Sequence, residues 1–110
     1  MSKVLVDHLY HHHLKLLQQE SQGQFDFIPV DFRKQDSQIE KHLPVAQAII
    51  GRVDPSEARY QSAKELVLIQ TLSAGFEEVD LERAQKYSVQ VANNNGANAV
   101  SVVELSLIHI

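Results

Sequence analysis

The chain has 110 residues, 44% of them hydrophobic and 22% charged, with a formal net charge of -4 and no cysteine. That length supports one domain around a single core rather than two. Carboxylates outnumber the scattered Lys and Arg, which excludes a basic nucleic-acid-binding face, and the missing thiols exclude disulfide and thiolate chemistry.

The opening "MSKVLVDHLY" meets Asp7 and His8 before an apolar stretch of signal-peptide length can form, and no later run approaches a membrane span. These features predict a soluble chain of the cytoplasm, with neither membrane nor nucleic acid among its partners. A first strand is expected at Lys3 to Val6. The segment from about Leu9 to Ser21 has helical spacing, with Leu9, His13, Leu16 and Leu17 near one face and Gln18, Gln19 and Glu20 towards solvent. "FDFIPV" at Phe25 to Val30 is the second strand. A helix from near Asp36 to just before Pro44 leads to "AQAII" at Ala46 to Ile50. The next helix begins at "DPSE", where Asp54 can cap and Pro55 suits the first turn. "LVLIQT" at Leu66 to Thr71 is the fourth strand, Asp80 to Tyr87 the fourth helix, and "VQVA" at Val89 to Ala92 the fifth strand. Each apolar run is too short for a helix of normal length, and several are apolar on both faces. From Asn93 the turn-rich "NNNGANA" leads into "VSVVELSLIHI", read as helical.

Strands alternating with helices specify an α/β fold, because parallel neighbours need a crossover and the crossover helices cover the sheet. A five-stranded parallel sheet in a three-layer αβα, flavodoxin-like sandwich is expected, in order 2-1-3-4-5, from right-handed crossovers. Ligands of such sheets bind beyond the carboxyl ends of the strands. Those ends are Asp7 with His8, the "GRV" of Gly51 to Val53, the "SAG" of Ser73 to Gly75, and the "NNNGAN" of Asn93 to Asn98. Three small residues after a strand leave backbone N–H groups unobstructed, so "SAG" can hold an anion; the same residues also suit a plain tight turn. "HLYHHHLKLL" raises a metal reading, since His8 and His12 are four apart and Asp7 is adjacent. A site there lacks a clear third ligand, and a solvated, partly packed helix start with no metal is the reading adopted. "EEVDLER" reads as a solvated helix entry, with Glu77, Glu78 and Asp80 near the positive end of the helix.

From Leu66 to Glu104 the sequence resembles the NAD-dependent D-isomer-specific 2-hydroxyacid dehydrogenases, a group that includes phosphoglycerate, glycerate and formate dehydrogenases. The matching pieces are the apolar strand, the "SAG" turn, "VDL" opening a helix, the strand "VQVAN", the "GAN" turn, and "SVVE" where the family usually has Ser-Val-Ala-Glu. The resemblance implies a substrate domain with a flavodoxin-like sheet, joined by a long helix to a Rossmann domain that these residues do not include. Residues 1–97 would be the amino-terminal part of that substrate domain and 98–104 the start of the interdomain helix. Residues 105–110, "LSLIHI", match nothing in the family pattern and are expected to be non-native. By the same resemblance, the backbone of Ser73, Ala74 and Gly75 would hold the substrate carboxylate, with Arg52 and Asn98 also facing the substrate. Ser101 and Val102 would lie near the nicotinamide of NAD or NADP. The partners implied are a small 2-hydroxy or 2-oxo acid, the Rossmann domain and a second copy in a homodimer. The family's catalytic Arg, Glu and His belong to its later domain, as does the dinucleotide loop, and no G-x-G-x-x-G occurs here. The chain alone is therefore expected to be inactive. The turn "NNNGAN" departs from the family's usual Asn-Thr-Pro-Gly.

Two other users of this sheet order fit less well. A receiver domain needs an acidic pair after the first strand, an Asp after the third and a Lys after the fifth, where this chain has Asp7 with His8, Gly51 with Arg52, and Asn93. A flavodoxin needs a hydroxyl- and glycine-rich loop after the first strand, and "DHLYHHH" has neither. A stand-alone small-anion binding module built on "SAG" and Arg52 stays open as the alternative.

Overall fold

A computed structural model describes residues 2–8, 11, 14–20, 25–34, 36–51, 55–71 and 80–92. The elements run β1 (Ser2–Asp7), α1 (Leu14–Glu20), β2 (Phe25–Val30), α2 (Ser37–His42), β3 (Ala46–Ile50), α3 (Glu57–Ser62), β4 (Leu68–Gln70), α4 (Leu81–Lys86) and β5 (Gln90–Ala92), with a 3-10 turn at Leu43–Val45 before β3. All neighbouring strands are parallel, and their order is β2-β1-β3-β4-β5, as the sequence pattern predicts.

Alternation along the strands feeds two apolar clusters. One gathers Leu5, Ile28, Val30, Ile49 and Ile69 from the sheet with Ile39 of α2, Tyr60 of α3 and Ala84 of α4. The other gathers Val4, Val6, Phe27, Ala48, Ile50 and Leu68, with Leu14 of α1 against it. Helix layers on both faces follow, and this is why successive residues Val4–Val6 of β1 and Ala48–Ile50 of β3 are all apolar. The ladder between β1 and β3 is irregular: Lys3 faces Ala46 but Val4 faces Ala48. Gln47 is thus an extra residue, and it puts Ala46 and Ala48 in opposite clusters although they share strand parity.

Helix ends show where local chemistry set the boundaries. Asp36 caps α2, accepting from Gln38 N–H, and Asp80 caps α4, accepting from Arg83 N–H. The start of α3 differs from expectation. Ser56, not Asp54, is the cap residue, with φ 91° and no side-chain cap bond, and Pro55 lies before the helix rather than in its first turn. Within the span 9–21 expected to be helical, the described α-helix runs Leu14–Glu20, and His11 lies in a 3-10 turn ahead of it. Between α3 and the end of α4, the rings of buried Tyr60 and partly buried Tyr87 stack at 5.1 Å and 1°. Glu57 there accepts from the Tyr87 hydroxyl at 2.7 Å and from Lys86 Nζ. Lys86 first, and then Tyr87, holds the Glu57 carboxyl below the usual carboxylate range.

Residues 93–110, which include the expected interdomain helix start and the "LSLIHI" tail, lie outside the described residues.

Candidate functional site

The five strands end level with one another. Asp7 pairs with Val30, Val6 with Ile50, Ile50 with Gln70, and Gln70 with Ala92. Two main-chain bonds carry the ladder one step further, from Gly51 N–H to Gln70 O at 2.9 Å and from Thr71 N–H to Ala92 O at 2.8 Å. The Gln70 amide, buried, donates to Thr71 O at 2.8 Å and to Ala92 O at 3.3 Å, tying the ends of β4 and β5 together. Arg52 and the segment bearing Ser73–Gly75 follow in sequence directly on this levelled edge.

At its β1–β2 corner the edge is acidic. Asp7 is 1% exposed, and its Oδ1 accepts from Phe32 N–H at 3.0 Å and from His8 Nδ1 at 3.3 Å. Its Oδ2 is buried without a hydrogen-bond partner. Leaving such an oxygen unpaired costs about 1–3 kcal/mol. Gly51 abuts the same side chain: a Cβ at Gly51 would stand 2.8 Å from Asp7 Cβ and 3.7 Å from Oδ2. The His8 Nδ1 also lies 3.5 Å from Asp31 Oδ1, on the residue that follows β2. Asp31 is itself gripped by Arg33, whose Nε and backbone N–H donate to Oδ1 at 3.0 and 2.9 Å while a terminal guanidinium nitrogen donates to Oδ2 at 2.8 Å. That side-chain pairing holds the Asp31 carboxyl far below the usual carboxylate range and raises the Arg33 guanidinium in return. The turn is anchored by Asp31 N–H donating to Asp36 Oδ2 at 2.9 Å.

His11 closes the corner from the side. Its Nε2 lies 3.1 Å from Val6 O and 3.0 Å from Val30 O. Both neighbours are carbonyl oxygens, so Nε2 carries the hydrogen and shares it between the last turns of the two strands. The pairing of His8 with His12 raised by sequence spacing lies outside the described residues, which do not include His12. His8 meets Asp7 and Asp31, His11 is spent on main-chain carbonyls through Nε2, and His12 and His13 lie outside the described residues. Asp31 had no motif to mark it; its signal was position, directly after the second strand and so level with Asp7. The residues expected to contact substrate, Arg52, Ser73, Ala74, Gly75 and Asn98, and those expected near the nicotinamide, Ser101 and Val102, lie outside the described residues.

Residues 3–106 match the catalytic domain of the D-isomer specific 2-hydroxyacid dehydrogenases. The chain belongs to this family. It is 33% identical over 95 residues to the formate dehydrogenase, chloroplastic/mitochondrial, of Arabidopsis thaliana, and equally to the mitochondrial formate dehydrogenase of Solanum tuberosum. These alignments take in 83% of this chain and 25% of each relative, so the chain spans about a quarter of the length of the curated relatives it matches. Among solved structures, the NAD-dependent formate dehydrogenase from Staphylococcus aureus, in complex with NAD, superposes with a TM-score of 0.67 at 23% identity, over 97% of this chain and 37% of the other. The sheet order of this 2-hydroxyacid dehydrogenase domain and the fold of that structure therefore agree. No helix among the described residues is long and apolar enough to cross a membrane.

Proposed function

We propose that this chain is the substrate-holding part of an NAD-dependent oxidoreductase, exchanging a hydride between NAD or NADP and a D-2-hydroxy acid and its 2-oxo partner. The observation that carries the reading is the family match over residues 3–106 on a sheet whose levelled carboxyl edge runs directly into Arg52 and the Ser73–Gly75 segment. In this reading the backbone N–H groups of Ser73, Ala74 and Gly75 bind the substrate carboxylate, with Arg52 and Asn98 beside them. Hydrogen bonds to a charged group of this kind contribute about 1.5–3 kcal/mol each. The 33% identity to two formate dehydrogenases favours formate itself as a second substrate, since it offers the same carboxylate.

The described strand ends do not fit the phosphates of a dinucleotide. The amides of Gly51 and Thr71 are already spent on Gln70 O and Ala92 O, and the 110 residues contain no G-x-G-x-x-G. By family likeness the cofactor would meet this chain only near Ser101 and Val102, and the catalytic Arg, Glu and His would come from a Rossmann portion, within a homodimer. Residues 98–104 would begin the helix leading there. Both plant relatives carry organellar names.

Titrating the chain with formate, glyoxylate and pyruvate while following backbone amide resonances tests this reading. Saturable shifts at Ser73, Ala74 and Gly75, weakened by Arg52→Ala, are expected, together with no binding of NADH. Hydride transfer is expected only when the chain is joined to a dinucleotide-binding domain. Amides of Ser73–Gly75 that stay still at saturating acid would overturn the assignment. Tight acid binding by a chain that stays inactive after such joining would favour the small-anion module instead.

A further inference from the structure

We propose that the corner made by Asp7, His8 and Asp31 is a binding site for a divalent transition-metal cation of the zinc class, separate from the anion-binding turn. One ligand atom from each of the three residues lies within 4.8 Å of the others. The His8 Nδ1 stands 3.3 Å from Asp7 Oδ1 and 3.5 Å from Asp31 Oδ1. Metal–ligand bonds of about 2.1 Å in a tetrahedral site put neighbouring ligand atoms about 3.4 Å apart, so both spacings suit one shared ion. Two carboxylates would neutralise the ion's charge and imidazole would supply the softer donor, a mixed N/O set typical of zinc.

The second observation is independent of that spacing. Asp7 is 1% exposed and its Oδ2 has no hydrogen-bond partner, so the carboxyl group at the back of the corner has acceptor capacity that the protein does not use. A cation seated against Asp7 answers it. The surroundings already hold the ligands in place: Phe32 N–H donates to Asp7 Oδ1, Asp36 anchors the Asp31 backbone, and Gly51, lacking a Cβ, lets the backbone pack closely against Asp7. The front is open, because the His8 and Asp31 side chains are 22% and 14% exposed.

Arg33 supplies a distinctive prediction. Its guanidinium sits bidentate on Asp31, and its side chain is 68% exposed, so it can swing into water. It therefore competes with the metal for Asp31, and removing it frees the carboxylate. The test titrates the chain with Co2+, read by its visible absorption, followed by displacement with Zn2+. One equivalent is expected to bind. His8→Ala and Asp31→Asn should each weaken binding about tenfold or more. Arg33→Ala should tighten it severalfold, and the double variant His12→Ala/His13→Ala should leave it unchanged. His8 and Asp31 are more accessible than Asp7. Binding that survives His8→Ala and Asp31→Asn, binding lost with His12 and His13, or no saturable binding would each overturn the site. Substrate-acid binding at Ser73–Gly75 is measured separately, so either assignment can fail without the other.

Discussion

Gly51 is the position where a single added carbon tests how the edge is built. It is buried and its backbone is not in the left-handed region, so alanine meets no conformational barrier there. What the new methyl meets is Asp7 Cβ at 2.8 Å and Asp7 Cγ at 3.6 Å. The first of these atoms belongs to a buried strand residue, paired with Val30 of β2, that has little room to retreat. Overpacking of this kind costs about 1–3 kcal/mol. Stiffening the unfolded chain returns about 0.4–1 kcal/mol. Gly51→Ala is therefore expected to destabilise the chain by about 1–2 kcal/mol. For a chain of this length the unfolding entropy is about 0.23 kcal/mol/K, so the melting temperature should fall by about 4–9 °C. Circular dichroism at 222 nm during thermal and urea unfolding reads the change. The decisive control is a double-mutant cycle with Asp7→Gly, which removes the offending Cβ. In that background Gly51→Ala should cost nothing, or stabilise by up to about 1 kcal/mol. An alanine variant as stable as the parent, or one equally damaged with and without the Asp7 Cβ, would refute the steric argument.

Two further outcomes follow from the hydrogen-bond geometry. His11→Ala removes the one donor shared by Val6 O and Val30 O and should lower stability by about 1–2 kcal/mol, read from the urea midpoint. His42 should make stability depend on pH. Burial, followed by the charges of Lys3 and Lys41, lowers its pKa from 6.5, in keeping with Nδ1 lying 3.3 Å from Lys3 Nζ and acting as acceptor. Because the unfolded chain takes up this proton first, the contribution is full above pH 6.5 and is lost as pH falls from there to the lowered folded value. Replacing His42 with Gln should flatten the stability profile in that window, whereas an unchanged slope would remove His42 as its cause.

The strands of this protein were legible one residue at a time. β2 and β3 occupy the spans their apolar runs predict, and β1 and β4 differ by a residue or two at their ends. Local chemistry explains that success, because an apolar run too short for a helix and bounded by polar turns has few other options. The fold order and the "SAG" likeness to a dehydrogenase family rested on pattern in the same way. Capping was legible only where a carboxylate stood directly before the helix. Asp36 and Asp80 met that condition; Asp54 did not, because the chain passes Pro55 and takes a positive φ at Ser56 before α3 begins.

The acidic corner was decided elsewhere. Asp7 and Asp31 are 24 residues apart and share no motif, so no window of sequence contains both. They meet because β1 and β2 are parallel neighbours in a register that ends Asp7 opposite Val30. The same register gives His11 two carbonyls to clamp, and the β1–β3 register sets Gly51 against Asp7. Sequence periodicity specifies which residues face a core, since that depends only on nearest neighbours along the chain. Which strand ends share an edge depends on pairing between distant segments, and only tertiary structure supplies it.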